Sequence, residues 1–259
     1  MSDFDRNYAA PRSVGFGRAA AVDAGLRAYM LSVYNYMAIG LAITGATALG
    51  AYILSVTTDP ALAAARLPNG VLLTSLGHAL FVSPLKWVVF LAPLGIVFLL
   101  SARINRMSTS GAQLAFWIFA AVLGISLGSI FMVYTYTSIA RVFFITAASF
   151  GALSLYGYTT QRDLSAFGSF LVMGLFGVIL AGLVNIFLQS SALQFVISVV
   201  GVLVFAGLTA WDTQRIKEMY DVHDDGTVAG RKAIMGALSL YLDFINMFTF
   251  ILQLFGDRR

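Results

Sequence analysis

Cysteine is absent from this chain of 259 residues. That removes disulfides, thiol chemistry and cysteine metal sites together. Charge is scarce as well: Asp, Glu, Lys and Arg make up 11% of the residues, against roughly a quarter in an ordinary soluble domain. Histidine occurs twice, at His78 and His223. Both fall in connections between apolar runs, so neither can partner a serine inside a membrane-spanning helix. The regular apolar–polar alternation of a β-barrel is missing, because the apolar runs are continuous. Residues 1–27 are polar and mixed in charge. They lack the apolar core of a removable signal peptide, and no stretch is left over for a soluble domain.

What remains is apolar: 59% of the chain is hydrophobic. Seven stretches approach or exceed the ~20 residues that cross ~30 Å of hydrocarbon. They lie near Ala28–Leu54, Pro84–Ala102, Gln113–Tyr134, Ile139–Thr159, Leu164–Gln189, Ala192–Thr213 and Ile234–Phe255. The expected fold is an all-α membrane protein with seven transmembrane helices. It comprises an N-terminal tail at 1–27, one polytopic domain at 28–255 and a short C-terminal tail at 256–259.

The net charge of +4 and the isoelectric point near 9.4 could point to nucleic acid. The placement of the basic residues points to a bilayer instead. Arg6, Arg12, Arg18 and Arg27 precede the first span, and Arg103 and Arg106 follow the second. Arg162 follows the fourth, and Arg215, Lys217, Arg231 and Lys232 separate the sixth from the seventh. Only Arg66, Lys86, Arg141, Arg258 and Arg259 fall on the other side. The positive-inside rule therefore predicts a cytoplasmic N-terminus and an external C-terminus, with Arg258 and Arg259 against the trend.

Several local signals accompany the spans. Thr57–Ser83 is the longest external connection, and its apolar middle, GVLLTSLGHALFV, suits an interfacial helix. Pro93 inside the second span predicts a kink or an irregular turn. Gly124 and Gly128 form a G-x-x-x-G pair, Gly151, Ser154 and Tyr158 share a face, and so do Gly174, Ala181, Gly182 and Asn185. Such faces let helices approach closely in lipid. The last cytoplasmic connection, Gln214–Lys232, is the most charged stretch of the chain. Within it, Asp221 to Gly226 partly mimics a calcium loop, but His223 occupies the third position and Lys232 the twelfth. Without the bidentate Glu the segment reads as a solvated connection.

Two acids stand out against this background. Asp212 lies in FAGLTAWDTQ and Asp243 in ALSLYLDFINMF, both within apolar sequence. A charge at mid-bilayer costs about 2.5–3.5 kcal/mol on insertion scales, so each is a candidate functional group. On the seventh span Ser239, Asp243, Asn246 and Gln253 fall on one stripe. On the sixth, Thr209 and Asp212 share a face, with Arg215 one step further along, placed either to neutralise Asp212 or to snorkel to the interface. Acids on successive spans can meet inside the bundle and share a proton, since close carboxylates do not both ionise cheaply.

ALSLYLDFINMF, with WDTQ upstream, resembles the Bax inhibitor-1 family and its YccA-like bacterial members. SPLKWVVFLAPLGIVFLLSARI is similar to that family's second span. The resemblance runs from about Ala28 to Phe255. It implies a fold with the seventh helix central, and a di-aspartyl pH sensor whose acids fall on Asp212 and Asp243. It also implies a basic latch at the inner end of the second span, best matched by Arg103 and next by Arg106. Family members are associated with pH-sensitive calcium leak, and some bacterial relatives bind a membrane-bound ATP-dependent protease.

The expected activity is a calcium leak in a bacterial inner membrane. It is gated by a proton shared between Asp212 and Asp243, with Arg103 offsetting the remaining charge. Ser239, Asn246, Thr209 and Arg215 support the pair. Calcium is held only weakly and in passing, by Asp212 and Asp243, and no cofactor is tightly bound. The alternative is a non-conducting regulator of a membrane protease. Enzyme chemistry is not expected. No GxGD string surrounds Asp243, the Pro-Ala-Leu sequence of intramembrane aspartyl proteases is missing from the end of the chain, and the last span has no retinal-binding lysine.

Overall fold

The computed structural model describes the backbone of residues 13–259 and the side chains from residue 23 onward, Asn105 excepted. Its helices are α1 (Ser13–Ser55), α2 (Ser75–Phe81), α3 (Leu85–Arg103), α4 (Thr109–Leu127), α5 (Ile130–Val133), α6 (Tyr136–Thr159), α7 (Ser165–Leu188), α8 (Ser191–Glu218) and α9 (Gly226–Phe255). Seven stretches are long and apolar enough to cross a membrane: Asp23–Ser55 within α1, α3, Thr109–Val133 formed by α4 and α5, and α6 to α9. The expected tail at residues 1–12 lies outside the described residues. The helical part of α1 begins well before the expected Ala28.

The two ends of the bundle differ. At one end a small antiparallel sheet joins β1 (Val56–Thr57), β3 (Leu72–Leu73) and β2 (Ala65–Arg66), in that order. The segment expected as one interfacial helix therefore divides. Leu72 and Leu73 become a strand, and only Ser75–Phe81 is helical, with Thr74 capping it through Gly77 N–H at 3.2 Å. The opposite end carries the short α3–α4, α6–α7 and α8–α9 connections and most of the basic residues. We call these the sheet end and the basic end.

The α8–α9 connection is shorter than the sequence suggests. Helix α8 runs on to Glu218 and α9 starts at Gly226, which leaves only Met219–Asp225 between them. The start of α9 is set by Asp225, whose Oδ1 accepts from Thr227 N at 2.8 Å and Val228 N at 2.7 Å. Both helices extend past their apolar cores with helix-forming charged residues that water can solvate. The remaining acids of this segment are also engaged. Asp224 pairs with Lys232 at 2.5 Å, and Asp221 Oδ1 accepts from His223 N at 2.9 Å.

Helix α3 continues unbroken through Pro93. It and α7 are the least buried spans at 11%, and they expose Trp87, Phe98, Phe170 and Phe187 where lipid would lie. Helix α9 is the most buried span at 61%, and it packs on α8, α1, α6 and α4. Its Tyr241 is fully buried between the edges of Phe116 and Phe119, with its hydroxyl 2.5 Å from Thr44 Oγ1. Tyr241 thereby joins α9 to α1 and α4. Helix α4 approaches α1 closely at Gly124, where an added Cβ would lie 1.9 Å from Thr47 Oγ1 and 2.5 Å from the Thr44 carbonyl oxygen. Gly128 meets Ala48 and Ala51 in the same seam. Gly151 and Gly182 face open space instead, so the small faces of α6 and α7 are not uniformly packing faces.

The C-terminal residues are held in place at the sheet end. Asp257 N–H donates to Ser138 Oγ at 2.9 Å, and Arg259 N–H to the Val133 carbonyl at 2.9 Å. Arg259 lies over Tyr136 and donates to Tyr52 Oη at 2.9 Å, while Arg258 lies over Tyr134. Cation–π contacts and a hydrogen bond thus engage the two arginines that oppose the charge rule.

Candidate functional site: two acids between antiparallel helices

Helices α8 and α9 run antiparallel and form the most extensive helix pair of the bundle. Asp212 and Asp243 face each other across it, and their carboxyls interact directly, side chain to side chain. Both are buried, Asp243 more deeply at 4% exposure. Oδ2 of Asp243 is fully enclosed and meets no hydrogen-bond donor among the described residues. Two ionised carboxyls here would place one acceptor against another. A single proton held between them would supply a donor.

The cation beside the pair is Arg215. Its Nη1 lies 3.7 Å from Asp212 Oδ1, one helical turn away, and its guanidinium lies over the Trp211 ring at 5.4 Å. Arg103 is placed elsewhere. It is exposed at the basic end of α3, in a groove with Ala102, Arg106 and Met107, and no ion pair joins it to either acid among the described residues. The latch on the second span is what the family resemblance implies, while the sequence itself sets Arg215 one step from Asp212. The structure puts the charge at i+3 on the acid's own helix.

The supporting polar residues divide into two groups. Thr209 is fully buried and donates to its own helix at the Phe205 carbonyl, 2.8 Å. Asn246 donates to the Leu242 carbonyl at 2.8 Å, also within its own helix. Ser239 is half-buried. Gln253 is exposed at the far end of the stripe and belongs to a different cluster, bonded to Gln194 and Ser198. No group of three His, Cys, Asp or Glu residues suited to a metal ion occurs among the described residues.

The WDTQ string turns out to act at every position. Trp211 stacks with Arg215, and its ring sits where a side chain at Gly168 of α7 would be. Thr213 donates to the Thr209 carbonyl at 2.7 Å and lies 3.0 Å from Ser154 Oγ, which is 2.6 Å from Tyr34 Oη. With the Thr213 hydrogen committed, Ser154 donates to Thr213 and Tyr34 to Ser154. Gln214 holds the α6–α7 connection, accepting from Leu164 N–H and donating to the Arg162 carbonyl, both at 2.8 Å. The sequence reading missed Tyr34, Thr213 and Gln214. Thr213 and Gln214 stood beside Asp212 in a recognised string, but nothing local names partners 50 or more residues away.

Tyr34 and Ser154 also line a cavity of about 510 Å³ between α1 and α6, with Arg27 and Tyr158 toward the basic end. Gly151, Ser154 and Tyr158, expected as a packing face, border this cavity, while Ser154 is itself buried and bonded to α1 and α8.

A seven-span bundle with an acid pair between its last two helices defines a class of polytopic membrane protein, and sequence comparison places the chain within it. Residues 26–259 match the family described as inhibitor of apoptosis-promoting Bax1. The chain belongs to the Bax inhibitor-1 family. It is 43% identical to the inner membrane protein YbhL of Escherichia coli K12 over 238 residues, covering 91% of this chain and 94% of that one. It is 45% identical over 237 residues to an uncharacterized protein of Rickettsia prowazekii, covering 92% of each. It is 43% identical over 261 residues to an uncharacterized protein of Caulobacter vibrioides, covering the full length of both.

Proposed function

We propose that this protein is a pH-sensitive calcium leak channel of the inner membrane and not an enzyme. Protonation of the Asp212–Asp243 pair is its gate. The observation that supports this reading is the buried Asp243 carboxyl, which interacts with that of Asp212 and whose Oδ2 is enclosed with no donor among the described residues. With one proton shared, the pair carries a single negative charge, which Arg215 offsets from 3.7 Å. Loss of that proton adds a second charge in a medium of low dielectric. Repulsion then favours separation of α8 from α9, or entry of a cation. Calcium prefers several oxygen ligands. Two carboxylates with Asn246 and Ser239 nearby form an incomplete set, which suits passage better than retention.

The test is calcium flux across a pH series in proteoliposomes. Wild type is expected to show a pH-dependent leak. Asp212→Asn and Asp243→Asn each remove one titrating carboxyl and are expected to abolish the pH dependence. An identical pH profile in all three proteins would place the sensor elsewhere. Absence of flux in all three would leave the non-conducting regulator of a membrane-bound protease as the function.

A further inference from the structure

The α8–α9 seam carries more than the acid pair. Its cross-contacts follow the antiparallel register from end to end: Ser198 with Gln253 at 2.9 Å, Phe205 with Phe250 at 6.0 Å between ring centroids, Asp212 with Asp243, and Ile216 against Gly236. On α8, Ser198, Phe205 and Asp212 are spaced at sevens, and on α9 Asp243 and Phe250 are also seven apart. On α8 two helical turns separate each level from the next, roughly 10 Å along the axis, while on α9 Gln253 follows Phe250 by less than one turn.

The three levels differ in chemistry. The sheet-end level is polar. Asn185, Gln189, Ser190, Gln194, Ser198 and Gln253 border an open cavity of about 370 Å³, and Gln253 Oε1 accepts from both Gln194 and Ser198. The deepest level holds the acids. Between them the seam is aromatic, with Phe205 and Phe250 stacked at an interplanar angle of 30°. Phe205 is buried, and the half-buried Phe250 packs on α8 at Gly201, where an added Cβ would come within 2.6 Å of its ring. Thr209, one turn below Phe205, has its hydroxyl turned to that residue's own carbonyl. It offers no polar step across the gap.

We propose that the Phe205–Phe250 stack, seated on Gly201, is the barrier that separates the polar cavity at the sheet end from the Asp212–Asp243 pair. An ion or water leaving the amide cluster meets two apolar rings for about two turns of helix, with nothing to replace its hydration. Apolar constrictions of this kind close a path by excluding water. The Cα hydrogen of Gly201 lets the ring lie against the helix, so the seal depends on that residue having no side chain. The role of this barrier in ion passage rests on the leak reading above; its role in excluding water from the acids does not.

Because the chain has no cysteine, single cysteines report access without background. Full-length Thr209→Cys is placed in sealed vesicles, and a small membrane-impermeant methanethiosulfonate is added on the side facing the sheet end. Thr209→Cys is expected to label slowly. The same cysteine combined with Phe250→Ala or Phe205→Ala is expected to label about tenfold faster or more, as an apolar seal gives way to water. Thr146→Cys, a fully buried position on α6, is expected to stay protected in the same backgrounds, which shows that the fold is intact. Should Phe250→Ala expose Thr146→Cys too, the milder Phe250→Leu decides, with an intermediate rate expected at Thr209→Cys alone. Fast labelling of Thr209→Cys with both rings present, or unchanged slow labelling once a ring is truncated, overturns the barrier. Calcium flux in the cysteine-free proteins separates the two readings. Faster labelling without flux keeps the barrier and removes the leak, while flux with unchanged labelling does the reverse.

Discussion

At the scale of single residues, Arg215 is the cation that stands beside Asp212, 3.7 Å from its Oδ1. Its side chain is 58% exposed, against 13% for that of Asp212. An ion pair this open to solvent contributes about 0–1 kcal/mol to stability. Under the gate proposed above, its larger effect falls on the charge state of the acids. Arg215→Gln is therefore expected to leave the thermal midpoint nearly unchanged. It should move the pH midpoint of calcium flux upward, because removal of the cation favours the protonated pair. Arg103→Gln should move neither. Flux and thermal unfolding measured on both variants check this, and the opposite pattern would return the latch to α3.

At the scale of elements, two contacts test how the helices are held. Gly124 lets α4 lie on α1, and a Cβ there would fall 2.5 Å from the Thr44 carbonyl oxygen. Backbone cannot swing aside as a flexible side-chain tip can, so Gly124→Val is expected to destabilise the protein by about 1–3 kcal/mol or more. Detergent-phase thermal unfolding reads the loss. Thr44 also bonds Tyr241, so the same variant should loosen α9. Asp225 is the second case. Its Oδ1 accepts from two N–H groups at the start of α9, and such a cap contributes about 1 kcal/mol. Asp225→Ala should lower the thermal midpoint by a comparable increment. Asp225→Asn, which can still accept, should recover most of it.

At the scale of the whole molecule, seven crossings put the two ends of the chain on opposite sides. Together with the basic end of the bundle, this supports our proposal of a cytoplasmic N-terminus and an external C-terminus. A reporter fused before Ala28 should read cytoplasmic and one fused after Arg259 external. Two reporters on the same side would remove the seven-crossing arrangement. The C-terminal fusion carries its own constraint, because Arg259 is engaged with Tyr52 and Tyr136. A linker after Arg259 should therefore be used in place of truncation before Asp257.

The sequence by itself determined the class and the number of spans, and it singled out the two acids that the structure brings together. Hydrocarbon thickness sets span length, and a buried charge is too costly to be incidental, so both signals are local and strong. Helix ends were legible where a change from apolar to polar residues marks the membrane boundary, as in α6 and α7. They were not legible in α8 and α9, where the helices run on into charged sequence and Asp225 supplies the cap. Only the tertiary structure decided which cation stands beside Asp212, that WDTQ ties α8 to α1, α6 and α7, and that Gln253 belongs to the sheet-end cluster. It also decided that Phe205 meets Phe250 on Gly201. Each of these depends on helix rotation and register between segments far apart in the chain. Apolar periodicity does not specify that rotation when lipid and protein interior are equally apolar, and backbone close approach does.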